Sequence, residues 1–169
     1  MGLSKLKTGG AVLIVGVSIL GLAACMQERQ EAKLAPQPAP SGFGLFYMDE
    51  GASVKLAYGA PNSDDVGFMM QCAKGSRRVE ITDVARVGAP PNLTLNAQGR
   101  AAALRAVLVD GAGTSILVAR TAADTPPLQA FRRSGRIDVV YAGKRYGVTA
   151  SAAEKVGVER FFSACERGA

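Results

Sequence analysis

The sequence predicts a mainly β fold, an antiparallel sandwich or open barrel of about eight or nine short strands with a short helix near 126–134 and a C-terminal helix near 152–166. Three observations predict it. Apolar and polar residues alternate over short runs, as in Ser53-Val-Lys-Leu-Ala-Tyr58, which puts Val54, Leu56 and Tyr58 on one face of a strand. Turn-forming residues separate those runs at short intervals, at Asp49-Glu-Gly51, Gly59–Asp65, Lys74-Gly75, Asn96–Gly99, Asp110–Gly113 and Gly143-Lys144. Near the C-terminus the period changes, and Val158, Phe161, Phe162 and Cys165 recur at helical spacing.

Taken in order, residues 1–24 read as a leader. Lys5 and Lys7 give a positive start without acids, Ala11–Leu20 is almost wholly apolar, and small residues precede a cysteine at Leu22-Ala-Ala-Cys25. The apolar run, about 14 residues, is shorter than the roughly 20 that span a bilayer. The segment resembles the bacterial lipoprotein lipobox, which implies cleavage before Cys25 and lipidation of that cysteine. Met26 rather than an aspartate follows it, which by the same resemblance sends the protein to the periplasmic face of the outer membrane. Two or more acyl chains hold a protein stably on a bilayer, so the lipid anchor is the expected membrane contact.

Residues 25–42 read as a tether, polar at first and then stiffened by the prolines of Ala-Pro-Gln-Pro-Ala-Pro40. Residues 43–169 form the expected periplasmic β-domain, large enough to bury a core. Phe43–Met48 is the first strand and Ala52–Tyr58 the second. Val66–Cys72 and Arg77–Asp83 form a central hairpin with Phe68, Met70, Cys72, Val79 and Ile81 on one face. After an irregular stretch ending at Pro90-Pro91 come strands at Asn92–Leu95, Ala101–Val109 and Thr114–Arg120. Thr125 is placed to cap a helix begun by Pro126 and ended by Gly135. A last hairpin carries Ile137, Val139 and Tyr141 out and Tyr146 and Val148 back. Ser151 and Glu154 have capping-box spacing for the final helix. Gly157 weakens that helix by about 1 kcal/mol against alanine.

The chain holds 3 cysteines and no histidine or tryptophan. With Cys25 lipidated, Cys72 and Cys165 are left as an even pair in an oxidising compartment, and a disulfide between them is expected. Closing so long a loop is worth about 4–5 kcal/mol in the chain-entropy picture. Two cysteines without histidine supply too few ligands for zinc, so neither a metal nor any other cofactor is expected.

The absence of histidine also excludes Ser-His-Asp and Cys-His nucleophiles as usually built. Glu50, Asp64, Asp65, Glu80, Asp83, Asp110 and Asp124 fall in or beside turns and read as solubilising acids, and a non-catalytic protein is expected. The formal charge of +6 loses Lys5 and Lys7 with the leader, leaving an ordinary basic domain with no expected nucleic-acid partner. Two basic groups are candidate anion sites: Lys74, Arg77 and Arg78 on the central hairpin, and Arg132, Arg133, Arg136, Lys144 and Arg145 around the last hairpin. Lipopolysaccharide phosphates, peptidoglycan carboxylates or an envelope protein would suit them.

A strand ending in a cysteine (Phe68-Met-Met-Gln-Cys72), a meander and a C-terminal helix ending Phe-Phe-Ser-Ala-Cys165 is similar to the layout of the VasI/TagO-like accessory domains of type VI secretion. That resemblance implies a small periplasmic β-domain with an end-to-end cysteine arrangement, and it carries no functional residue over. The expectation is an outer-membrane lipoprotein that binds or scaffolds an envelope partner. The alternative is an envelope sensor or an inhibitor of a cell-wall hydrolase that would act through Asn62–Asp65.

Overall fold

The computed structural model describes residues 42–110 and 114–167, all within the second of two units of the chain, Leu34–Ala169. The leader, Cys25 and the tether through Ser41 lie outside the described residues. Nine strands follow one another: β1 (Gly44–Asp49), β2 (Ser53–Gly59), β3 (Val66–Ala73), β4 (Arg78–Val84), β5 (Asn92–Ala97), β6 (Arg100–Asp110), β7 (Ser115–Ala122), β8 (Arg136–Tyr141) and β9 (Lys144–Thr149). Helix α1 (Pro126–Ser134) comes between β7 and β8, and helix α2 (Glu154–Arg167) comes last.

All strand pairs are antiparallel, in the order β1-β2-β3-β4-β7-β6-β5-β8-β9. This is the expected fold class, in the form of a nearly closed, barrel-like sheet. The closure depends on β6, at 11 residues the longest strand. Its first half, Arg100–Arg105, pairs with β5, and its second half, Ala106–Asp110, pairs with β7. One strand therefore belongs to both halves of the sheet. The sequence shows β6 as a long strand but not its division, because partner choice depends on where the neighbours end.

The alternation read from the sequence is the alternation observed. Val54, Leu56, Tyr58, Phe68, Met70, Cys72, Val79 and Ile81 all point into one core, with Leu56 opposite Met70 and Met70 opposite Ile81. Helix α2 lies across β1, β2 and β3, and α1 packs on β5, β6 and β8. The buried face of α2 is Val158, Phe161, Phe162 and Cys165, as its spacing predicts. Phe161 and Phe162 meet edge to face with centroids 5.3 Å apart, a geometry that suits the ring quadrupoles.

Three local expectations are corrected. Thr125 stands before α1 but gives it no side-chain cap; its hydroxyl donates to Ala122 O at 2.6 Å instead. Pro126 and Pro127 carry no N–H, so the first helical positions offer little for a cap to accept. Gly157 is more than a weak point in α2, because a Cβ there would lie 3.0 Å from Tyr47 Cβ, and the glycine lets the helix approach β1 closely. The fifth strand runs on to Ala97, so the turn narrows to Gln98-Gly99.

Candidate functional site

The two ends of the barrel carry the candidate chemistry. At one end Cys72 and Cys165 are joined, with Cα atoms 5.6 Å apart and a sequence separation of 93. The β3–β4 turn docks on the last turn of α2: Gly75 N–H donates to Ala164 O and Arg77 N–H to Cys165 O, each at 3.0 Å. A helix end leaves carbonyls without intrahelical partners, and here a hairpin turn satisfies two of them beside the disulfide.

The basic residues divide into paired and unpaired sets. Lys74 binds Asp49 at 2.8 Å, and Arg145 binds Asp138 at 2.7 Å. Arg132 donates through Nη1 to both oxygens of Glu166 at 2.9 Å and through Nε to Glu159 at 2.8 Å. It also sits over the Phe162 ring, 5.8 Å from its centroid. The carboxylates hold Arg132 even more firmly protonated than usual, Glu159 most of all, and the same guanidinium holds Glu159 below the ordinary glutamate range. Among the described residues, Arg77, Arg78, Arg133, Arg136 and Lys144 have no carboxylate within salt-bridge distance. They do not form one patch, since Arg136 and Lys144 lie at opposite ends of the β8–β9 hairpin. Arg77 lines a shallow cleft of about 320 Å³ beside the disulfide, together with Ala123, Asp124, Glu166 and Arg167.

At the other end Asp83, expected as a solubilising acid beside a turn, is instead buried on the inner face of β4. Tyr146 of β9 donates its O–H to Asp83 Oδ2 at 2.6 Å, and Val84 N–H donates to Oδ1 at 2.7 Å. Nearby, Arg86 N–H donates to Tyr141 Oη at 3.1 Å. These bonds span the gap between the two halves of the sheet. Burial pushes the Asp83 carboxyl up, against the pull of the Tyr146 O–H and the Val84 N–H. Burial and the neighbouring Asp83 together push the Tyr146 hydroxyl up. Strand parity could have revealed this acid, because Val79, Ile81 and Asp83 must share a face. With one oxygen taken by Tyr146 and the other by a backbone N–H, Asp83 acts as a structural acceptor.

Glu154 links this end to α2. Its Oε2 accepts from Ser151 N–H at 2.6 Å, and Ser151 Oγ accepts from Glu154 N–H at 3.3 Å, which completes the predicted capping box. Its Oε1 also accepts Leu45 N–H at 2.9 Å, on the edge strand β1. Burial raises the Glu154 carboxyl, but these donors outweigh it and hold the group below the ordinary range. Among the described residues, no three His, Cys, Asp or Glu side chains converge as a metal site requires. No helix among them is long and apolar enough to cross a membrane.

Compared with known proteins, the chain matches no family model, no curated protein and no solved structure.

Proposed function

We propose that this chain is a non-catalytic lipoprotein, acylated at Cys25 and held on the periplasmic face of the outer membrane, whose β-domain binds or scaffolds an envelope partner. The observation that carries the reading is the Cys72–Cys165 bridge. Disulfides persist in oxidising compartments, and pairing these two sulfurs leaves Cys25, behind an apolar leader, as the odd cysteine of 3. The cations without carboxylate partners among the described residues, Arg77, Arg78, Arg133, Arg136 and Lys144, suit phosphate or carboxylate groups of lipopolysaccharide or peptidoglycan. Intact mass of the membrane-extracted protein, with and without reductant, tests the reading. A chain cleaved before Cys25, carrying acyl mass and one reducible bond, is expected. An unmodified full-length product with three alkylatable thiols overturns it.

One observation favours a second reading, an inhibitor of a cell-wall hydrolase. The β2–β3 loop is exposed yet held by its own hydrogen bonds: Ala60 N–H to Asp65 O at 3.0 Å, Val66 N–H to Asp64 O at 2.9 Å, and Asp65 N–H to Ser63 Oγ at 3.0 Å. A pre-ordered loop presenting Asp64 and Asp65 loses little freedom on insertion into a cleft. Inhibition assays against a panel of cell-wall hydrolases separate the two readings.

A further inference from the structure

Large apolar side chains collect at one end of the barrel. The register shows which end it is. Gly44 pairs with Gly59 and Gly59 with Val66, while Val84 pairs with Ile116 and Ile116 with Val109. Ala85 N–H donates to Ser115 O, and Ser115 lies opposite Asp110. One end of the sheet thus holds the start of β1, the β2–β3 loop, the β4–β5 loop and the far end of β6. The disulfide lies at the other end, where β3 finishes and β4 begins.

Around the first end, Val66, Val84, Val87, Val107, Leu108 and Val109 are exposed, from 36% at Val66 to complete exposure at Val87. Val107 and Val109 lie opposite Val118 and Ile116 on the outer face, and Leu108 lies opposite Leu117 on the inner one. Both faces of β6 are therefore apolar and exposed here. Beyond Ala106, whose N–H donates to Pro91 O, β5 no longer pairs with β6. Strand alternation turns the backbone groups of Leu108 and Asp110 toward that vacated edge. An exposed apolar strand of this kind is usually charged or covered.

The path of the chain indicates what covers it. The 42 residues before Phe43 join the domain at the start of β1, at this same end. On the lipoprotein reading, on which this inference rests, residues 25–42 of that stretch tie the apolar end to the bilayer. We propose that this end seats directly on the membrane, with Val84, Val87, Val107 and Val109 entering the headgroup layer as a second contact beside the acyl anchor. The surrounding charges are mixed, with Arg86 and Lys144 against Asp64, Asp65 and Asp110, all exposed. The contact therefore depends on apolar insertion and is insensitive to the sign of the lipid charge. An apolar protein face lies about 5–10 Å into the headgroup boundary, within reach of quenchers on the acyl chains.

The chain has no tryptophan, so an introduced one is a unique reporter. V87W and V109W in the membrane-extracted protein, reconstituted into brominated phosphatidylethanolamine–phosphatidylglycerol vesicles, probe the proposed contact. A73W, at an exposed position where β3 ends beside Cys72 at the disulfide end, is the reference. The expected result is blue-shifted, bromolipid-quenched emission from V87W and V109W, and unquenched, solvent-like emission from A73W. Acylated protein whose V87W and V109W emit like A73W overturns the seating and leaves the anchor standing. Unacylated protein whose V87W is quenched overturns the anchor and supports the seating. A concentration-dependent blue shift without quenching assigns the face to a second protein copy and overturns the proposal.

Discussion

The disulfide end and the apolar end of the barrel solve the same problem in opposite ways. Each must finish a sheet whose two edge strands do not meet. At the disulfide end the chain closes itself covalently, and the β3–β4 turn supplies N–H donors to the end of α2. At the apolar end, among the described residues, the Tyr146 O–H to Asp83 and the Arg86 N–H to the Tyr141 hydroxyl bridge the halves, and aliphatic residues are left outside. Helix α2 connects the two, with Glu154 on β1 at the apolar end and Cys165 on β3 at the other. The contrast is between an end fixed by a covalent bond and an end bridged by hydrogen bonds.

The most severe test removes the covalent end. The Cys72→Ala/Cys165→Ala pair, or reduction, opens a loop of 93 residues and is expected to cost about 4–5 kcal/mol in urea unfolding. A loss well below that would mean that the docked turn and the Phe161–Phe162 packing hold this end alone.

The second test attacks the apolar end. Tyr146→Phe removes the O–H donor from a buried carboxylate and is expected to cost about 1–3 kcal/mol. The pH dependence adds a signature. The Asp83 carboxyl is held above its ordinary 3.8, chiefly by burial, so the folded protein keeps a proton that the unfolded chain has released. Its stabilisation is full below pH 3.8 and is lost as pH rises through the folded value. Losing the Tyr146 donor raises Asp83 further and steepens that loss, whereas Asp83→Asn abolishes it. Unfolding measured from acid to neutral pH checks both outcomes.

Glu159 and Glu154 run the other way. Held below 4.5, Glu159 by its Arg132 pair and Glu154 by its N–H donors against burial, they contribute above that value and lose it as pH falls. Glu154→Ala removes acceptors from Ser151 and Leu45 N–H groups and is expected to cost about 1 kcal/mol. Hydrogen exchange at Leu45 should quicken along with the fall in stability. The smallest effect belongs to Arg132→Lys. The Glu159 partner is 56% exposed, so solvent screens the pair and the expected loss is below about 1 kcal/mol, with added salt narrowing the difference.

Much of this architecture could be read before any coordinates, for reasons visible at particular residues. Val54, Leu56 and Tyr58 showed their strand because side chains alternate with period two. Phe161, Phe162 and Cys165 showed the buried stripe of α2 because helical neighbours recur three and four apart. Ser151 and Glu154 showed the capping box because it is local. What Asp83 and Gly157 touch was not legible, because their neighbours Tyr146 and Tyr47 are 63 and 110 residues away in sequence. The candidate cations could be counted but not sorted, because Glu159 and Glu166 reach Arg132 only when two helices pack.

The sequence by itself determined what depends on local spacing: the strand faces, the stripe of the last helix, and two cysteines for one bridge. Only the tertiary structure decided the division of β6 between two partners, the burial of Asp83, the pairing of Arg132, and the gathering of valines at the end where the chain arrives. Those features are set by contacts between residues far apart in the chain, which composition and periodicity do not encode.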